Sequence, residues 1–486
     1  FLTSPQDGDS FIRPLMFTQY LGGSVASAAV NLTQPFMVTA PWLSQYSSFK
    51  DSTAEIVRAA NEMRWGGKAK FDPKLQLAMQ RAQDDGTLAP QEIFQLMEQA
   101  QGGHGLRQKD GTLVGDSLAI GHNYAKKVGV LWGSMFGMAE QYNRQITFIA
   151  AYRTAQKAGM PDPDAFARTA VVETQFVYTK ASKMRFARNK FGGLLLTFKT
   201  YTVSYLELMW RLWNKNGSPQ EKMKAKMAMV GMLGMLMLAG GIDGLPFMED
   251  MEDIADTILQ RMDYIFFFCD KRKELIQAAL AIVLGETIAA GTSKVINSGA
   301  SKLPFSGVDV SGRLGMGNLI PATGMFKVDG DISRDILEIG GAPADFVSRI
   351  HQGVDLMMRG KPLDAALIVS PTAVRNFAKG GQSLVTGEYR DTKGNLVTEL
   401  GVAGSAAKML GFQPSNVADV GEMNFSLQRK KAFYNKTAEE VRDQWARGIL
   451  EDDKAKVEAA RERMARWNEN YPDFMMKIRM PDIMKR

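Results

Sequence analysis

The stretch Met227-Ala-Met-Val-Gly-Met-Leu-Gly-Met-Leu-Met-Leu-Ala-Gly-Gly-Ile242 carries no charged side chain and five methionines. As a helix these 16 residues span about 24 Å at ~1.5 Å per residue, short of a hydrocarbon core of roughly 30 Å. A permanent membrane span is therefore marginal on length. Glycines at 231, 234, 240 and 241 permit close helix approach, and methionine is an unbranched side chain that repacks against different partners. Met227, Met229, Met232, Gly234, Met235, Met237 and Gly240 are thus candidate contacts to a membrane or a partner helix. The expectation is a helix that is core in one setting and exposed in another.

Its flanks differ in sign. From Lys180 to Lys226 there are eleven Lys/Arg against two acids, Glu207 and Glu221. From Asp243 to Asp256 there are six acids and no base. If the apolar stretch inserts, the basic side favours the cytoplasmic face. Within the basic block, Lys180, Lys183, Arg185, Arg188 and Lys190 lie among Phe176, Tyr178 and Phe186. Cations neutralise phosphates and rings stack on bases, so the cluster suits nucleic acid. A polybasic segment is equally drawn to an anionic leaflet, and an ordinary solvated helix face has the same composition.

Working outward, the dominant period is helical. In 191–213, Phe198, Tyr201, Tyr205, Leu208 and Leu212 recur at three and four, opposite Thr200, Ser204, Glu207 and Arg211. Further helices are expected within 51–101, with Asp72-Pro73 and Ala89-Pro90 as starts and Gly102-Gly103 as a stop, then over 115–159, 250–262 and 271–290. Val441, Trp445, Ile449, Val457, Ala460, Met464 and Trp467 mark one long charged helix over 437–468. The fold class is mainly α, an extended multi-helix assembly with one or two short β-hairpins, near 106–114 around Asp110-Gly111 and near 387–398 around Lys393-Gly394.

Composition divides the chain into an uncharged interface segment (1–50), a helical domain with a basic amphipathic end (51–226) and an apolar, Met-rich helical region (227–290). A Gly/Ser-rich connection (291–330), a helical region with a hairpin (331–436) and the charged C-terminal helix (437–486) follow. Between Pro14 and Phe49 no residue is charged, yet Gly22-Gly23, Pro35 and Pro41 interrupt the run, which argues for burial against protein and against a simple bilayer helix. The first residue is Phe, with no charged region or cleavage site after it, so the chain is expected to be a piece of a longer polypeptide.

With 486 residues and 45% apolar content a sizeable core is available. One cysteine, Cys269, allows no intrachain disulfide, and three histidines leave few metal ligands. No phosphate loop, zinc-protease helix, nucleophile elbow or Cys-x-x-Cys occurs, and Gly312-Arg-Leu-Gly-Met-Gly317 has the wrong glycine order for a dinucleotide loop. Neither catalysis nor a cofactor is expected in this segment.

Several stretches, in order, resemble a known family. They are Asn31-Leu-Thr-Gln-Pro-Phe-Met-Val-Thr-Ala-Pro41, Phe191-Gly-Gly-Leu-Leu-Leu-Thr-Phe-Lys199, Gly240-Gly-Ile-Asp-Gly-Leu-Pro246 with Glu249-Asp250, Asp309-Val-Ser-Gly-Arg-Leu-Gly-Met-Gly317 with Pro321, and Gly411-Phe-Gln-Pro414. Together they are similar to the C-terminal PLxRFG-type region of very large phage polypeptides, which include the internal virion (ejection) proteins of short-tailed phages. The similarity covers about residues 15–430, although the name-giving motif is replaced by Ala187-Arg-Asn-Lys-Phe-Gly192. The resemblance implies a helical protein held inside the capsid, expelled with or before the genome and assembled in the host envelope. The implied partners are phage core and portal proteins, further copies of itself, phage DNA and the host inner membrane. The alternative it leaves is a non-catalytic packaging or anchoring domain of a virion-carried enzyme such as a virion RNA polymerase, with any enzymatic module lying N-terminal to this piece.

Overall fold

A computed structural model describes residues 16, 19–64, 71–88, 113–176, 200–261, 268–284, 293–297, 299, 307–314, 316, 332–391, 394–472 and 475–484. Over these residues the protein is mainly α, with two short two-stranded antiparallel ribbons.

The uncharged N-terminal stretch is the centre of the main core. It forms α1 (Val25–Asn31), a π-helical turn (Pro35–Thr39) and α2 (Ala40–Leu43), and it buries Met37, Val38, Trp42 and Leu43. Around it pack α3 (Phe49–Arg64), α4 (Pro73–Asp84), α5 (Leu113–Lys157) and α6 (Pro163–Thr174). Asp72 and Asp162 cap α4 and α6, each followed by proline at the first helical position, where a missing N–H costs nothing. The polar residues of the stretch are satisfied inside: the Thr39 hydroxyl lies 3.2 Å from that of Thr147 and 2.9 Å from that of Thr174, and Gln34 donates to the Thr174 carbonyl. Arg153 and Lys157 of α5 pair with Glu62 and Glu55 of α3, each at 2.6 Å.

Next come α7 (Thr200–Trp213) and α8 (Pro219–Gly240), which close the same core with Tyr205, Leu208 and Leu212 on one helix and Ala225, Ala228, Met232 and Leu236 on the other. They are followed by α9 (Met248–Arg261) and α10 (Phe268–Leu284). Then β1 (Val308–Asp309) and α11 (Ser311–Leu314) are tied into the body, since Met316 N–H bonds the Gly244 carbonyl at 2.9 Å and Met316 is buried in the main core.

The remaining elements are α12 (Ile332–Met358), α13 (Pro362–Val369), α14 (Thr372–Thr386), β2 (Glu388–Arg390), β3 (Leu396–Glu399), α15 (Val402–Met409), β4 (Gln413–Pro414), α16 (Ser415–Leu450), α17 (Lys454–Asn470) and α18 (Met480–Met484). Strand β1 pairs with β4, Val308 opposite Pro414, and β2 pairs with β3. A second, separate core of Phe433, Val441, Trp445, Ala460, Trp467, Met476 and Ile483 sits in the last three helices and the segment before α18.

Of three sequence expectations, one lies mostly outside the described residues and two are corrected. The expected hairpin near 106–114 lies mostly on residues outside the described set, and its last two positions, Leu113 and Val114, are already the first turn of α5. The C-terminal block is two helices and not one. Asp452 takes a left-handed φ of 51°, and the Asp453 carboxylate caps the N–H groups of Ala455 and Lys456, so the chain reverses there. The apolar stripe from Val441 to Trp467 thereby folds onto itself, with Phe433 and Trp467 rings 5.7 Å apart. The third concerns the Met-rich helix and its flanks, described next.

Candidate interaction surface

Helix α8 starts earlier than its apolar run suggests. Ser218 and Glu221 form a reciprocal capping box, with the Ser218 hydroxyl accepting from Glu221 N–H and the Glu221 carboxylate accepting from Ser218 N–H at 2.8 Å. Pro219 occupies the first turn, so the helix runs 22 residues and spans about 33 Å. Gly241, with φ of 70°, ends it, a conformation that disfavours any residue with a Cβ. By length and composition alone α8 is the one described helix able to cross a bilayer. The helix is thus longer than its sixteen-residue apolar run and matches a hydrocarbon core in length, but its N-terminal end carries Glu221, Lys222, Lys224 and Lys226.

The residues of this helix divide between two faces. Ala225, Ala228, Met232, Leu236 and Gly240 are buried against the main core, with Tyr205 Oη donating to the Met232 carbonyl at 3.2 Å. Met229 and Met235 pack partly against that core. Met223, Met227, Val230, Met237 and Leu238 face outward, Met227 being 67% exposed, and Gly234 is exposed between them. Spacings of four, three and seven put Met223, Met227, Val230 and Met237 on one stripe. Of the seven candidate residues, then, Met232 and Gly240 belong to the core, Met229 and Met235 to its margin, and Met227, Gly234 and Met237 to an apolar surface.

Close helix approach through the glycines holds only in part. A Cβ on Gly234 would meet nothing within 4 Å, and one on Gly231 would make ordinary contact with Pro41 at 3.5 Å. The tight approach is at the C-terminal end, where Gly299 lies so near that its Cβ would fall 2.6 Å from Gly240 N and 2.1 Å from the Ala239 carbonyl oxygen.

Sequence reasoning missed two tryptophans. Trp210 and Trp213 of α7 are 68% and 52% exposed, and the Lys226 ammonium sits 4.6 Å from the Trp213 ring centroid. They fall off the buried line of Tyr205, Leu208 and Leu212, which is the signal by which they were legible. The basic end of α8 is therefore lined by Lys222, Lys224, Lys226 and an exposed aromatic.

The acidic flank is more nearly neutral than its sequence. Arg272 of α10 pairs with Asp243 and, at 3.0 Å, with Glu252, while Lys273 lies 3.5 Å from Asp243. Asp250 and Asp256 are buried. Glu249 is pushed up to about 7, first by burial and then by Asp243, Asp253, Glu252 and Asp250. The segment is a structural ionic joint between α9 and α10.

The other candidate cluster, Lys180, Lys183, Arg185, Arg188 and Lys190, lies outside the described residues. Among the described residues no group of His, Cys, Asp and Glu is arranged to hold a metal ion. Three of the five stretches that carry the family resemblance do meet: Met316 bonds Gly244, and β1 pairs with β4. Compared with known proteins, the chain matches no family model, no curated protein and no solved structure.

Proposed function

We propose that this chain works by assembly, as a segment of an internal virion (ejection) protein that is carried inside a phage capsid and meets the anionic inner membrane of the host during genome delivery. One observation carries the reading: α8 is apolar on both sides, its inner stripe buried by the main core and its outer stripe exposed beside lysines and tryptophan. An exposed apolar stripe beside cations and tryptophan suits the headgroup region, with apolar side chains inward, cations at the phosphates and tryptophan at the boundary. The ordered family resemblance supports the same reading. The exposed stripe favours it over a purely packaging domain, for which a closed α8 is expected.

Magnitudes set the test. Lys222, Lys224 and Lys226 contribute about 1 kcal/mol each beside an anionic leaflet, and contact of the outer stripe contributes a few kcal/mol at ~25 cal/mol per Å². Neither part suffices alone, so binding must need both. The full chain is expected to float with vesicles of phosphatidylcholine containing about a third phosphatidylglycerol at low salt, and to be released as salt screens the lysines. Met227→Glu with Val230→Glu, both exposed positions, should weaken binding about tenfold or more at unchanged melting temperature. Absence of binding at low salt, or binding indifferent to the double substitution, would remove the membrane contact.

A further inference from the structure

Five cations from four helices converge away from α8. Arg313 of α11 donates to the Ser27 hydroxyl and to the Gly411 carbonyl, both at 2.9 Å, and so bridges α1 to the turn before β4. Lys408 of α15 is 8% exposed and donates to Gln413 Oε1 at 3.1 Å. Lys379 of α14 and Lys408 lie 5.8 and 5.5 Å from the centroid of one ring, Tyr389 on β2. One turn back on α14, Arg375 donates to Thr372 Oγ1 at 3.1 Å. Arg349 of α12 stacks 4.9 Å from the Tyr20 ring and pairs with Asp345 at 2.7 Å.

These groups act on one another. Lys408 is pushed down to about 8, first by burial and then by Lys379, Arg313 and Arg375; Arg375 and Lys379 are lowered first by burial and next by a neighbouring cation. The described carboxylates that act on them are Asp345, already engaged by Arg349 and by the Tyr20 hydroxyl, and Asp391. Moreover Arg375 Nε and Arg349 Nη1 are buried N–H donors with no acceptor. Buried, unaccepted donors and like charges are each unfavourable, and one ligand relieves both: a compact anion of more than one charge with several acceptor oxygens.

We propose that Arg375, Lys379 and Lys408, flanked by Arg313 and Arg349, form a binding site for a tetrahedral oxyanion of phosphate type. The burial of Lys408 excludes the continuous backbone of a duplex and admits a free phosphate or a terminal phosphate ester. Seated there, the anion ties α14 and α15 to the β2–β3 hairpin and, through Arg313, to α1. The site is independent of the membrane reading, because none of its residues lies on α7 or α8.

The test uses the full chain in chloride buffer, with sodium chloride additions matched in ionic strength. Inorganic phosphate is expected to raise the melting temperature saturably, by roughly 2–5 °C at about a hundred times its Kd. A larger rise with adenosine 5′-monophosphate than with inorganic phosphate, and none with adenosine, assigns a phosphate ester; equal rises assign free phosphate. Lys408→Met should melt higher than the native chain in chloride, because a buried cation is gone, and should bind phosphate about tenfold more weakly or not at all. Arg375→Gln should weaken binding comparably, while Arg58→Gln on the exposed face of α3 should not. Sulfate, whose charge is constant in this range, should bind less tightly as pH rises through about 8 and Lys408 loses its proton. If Lys408→Met does not fold, equilibrium dialysis of phosphate against the native chain and Arg375→Gln decides. A native chain that shows no response beyond matched chloride, or variants that respond like it, would overturn the proposal.

Discussion

At the residue scale, what surrounds a glycine decides what it is for. Gly380 on α14 sits where a Cβ would fall 2.6 Å from Met409 N and 2.7 Å from the Ser405 carbonyl, both backbone atoms that cannot swing away. Gly380→Ala is expected to destabilise by about 1–3 kcal/mol, because α14 and α15 must separate. Gly234 is the opposite case, a helix-interior glycine with open space around it. Gly234→Ala should stabilise by roughly 0.5–1 kcal/mol through the unfolded chain. Chemical denaturation of the two variants measures both signs. The glycine pattern in the Met-rich stretch was legible in the sequence, but its use was not: spacing shows where two backbones can approach, and only the fold shows that Gly299 approaches Gly240 while Gly234 meets nothing.

At the scale of elements, capping and turn chemistry translated most directly. Asp72 before Pro73 starts a helix as its chemistry requires. The hairpin around Gly394 forms with Asp391 accepting from Asn395 N–H at 2.8 Å. Strand pairing between Val308 and Pro414 was illegible, because two-residue strands have no period and their partners lie a hundred residues away. The joint of α9 and α10 was likewise illegible, since the acids from Asp243 to Asp256 find their cations in Arg272 and Lys273, on the following helix. Glu249 in this joint has a pH signature. Its pKa is raised from 4.5 to about 7, so its contribution to stability is complete below pH 4.5 and is lost as pH rises through about 7. Glu249→Gln should therefore match the native chain in acid and melt higher than it above pH 7, read from melting temperatures across that range.

On the scale of the whole molecule, the helical class and the burial of the uncharged N-terminal stretch followed from composition and period. The cation cluster did not. Arg313, Arg349, Arg375, Lys379 and Lys408 span almost a hundred residues, and only Arg375 and Lys379, four apart on α14, share a helix face that sequence could reveal. Nor could sequence show that the two apolar clusters have no residue in common, one running from Met37 to Met316 and the other from Phe433 to Ile483. Trp467 is 6% exposed and central to the second. Trp467→Ala should cost about 3–5 kcal/mol there and leave the first intact. Calorimetry is then expected to show two transitions, of which only one moves; a single transition shifted as a whole would show that the clusters melt together.

The same separation has a mechanical side. A force applied to the two ends need not break both clusters at once, because α16 and α17 can peel from each other while α1 to α8 hold. Each unit that opens leaves helices about 10–12 Å across, and the units behind it stay folded until their turn. Pulling on the two ends is therefore expected to give more than one opening event.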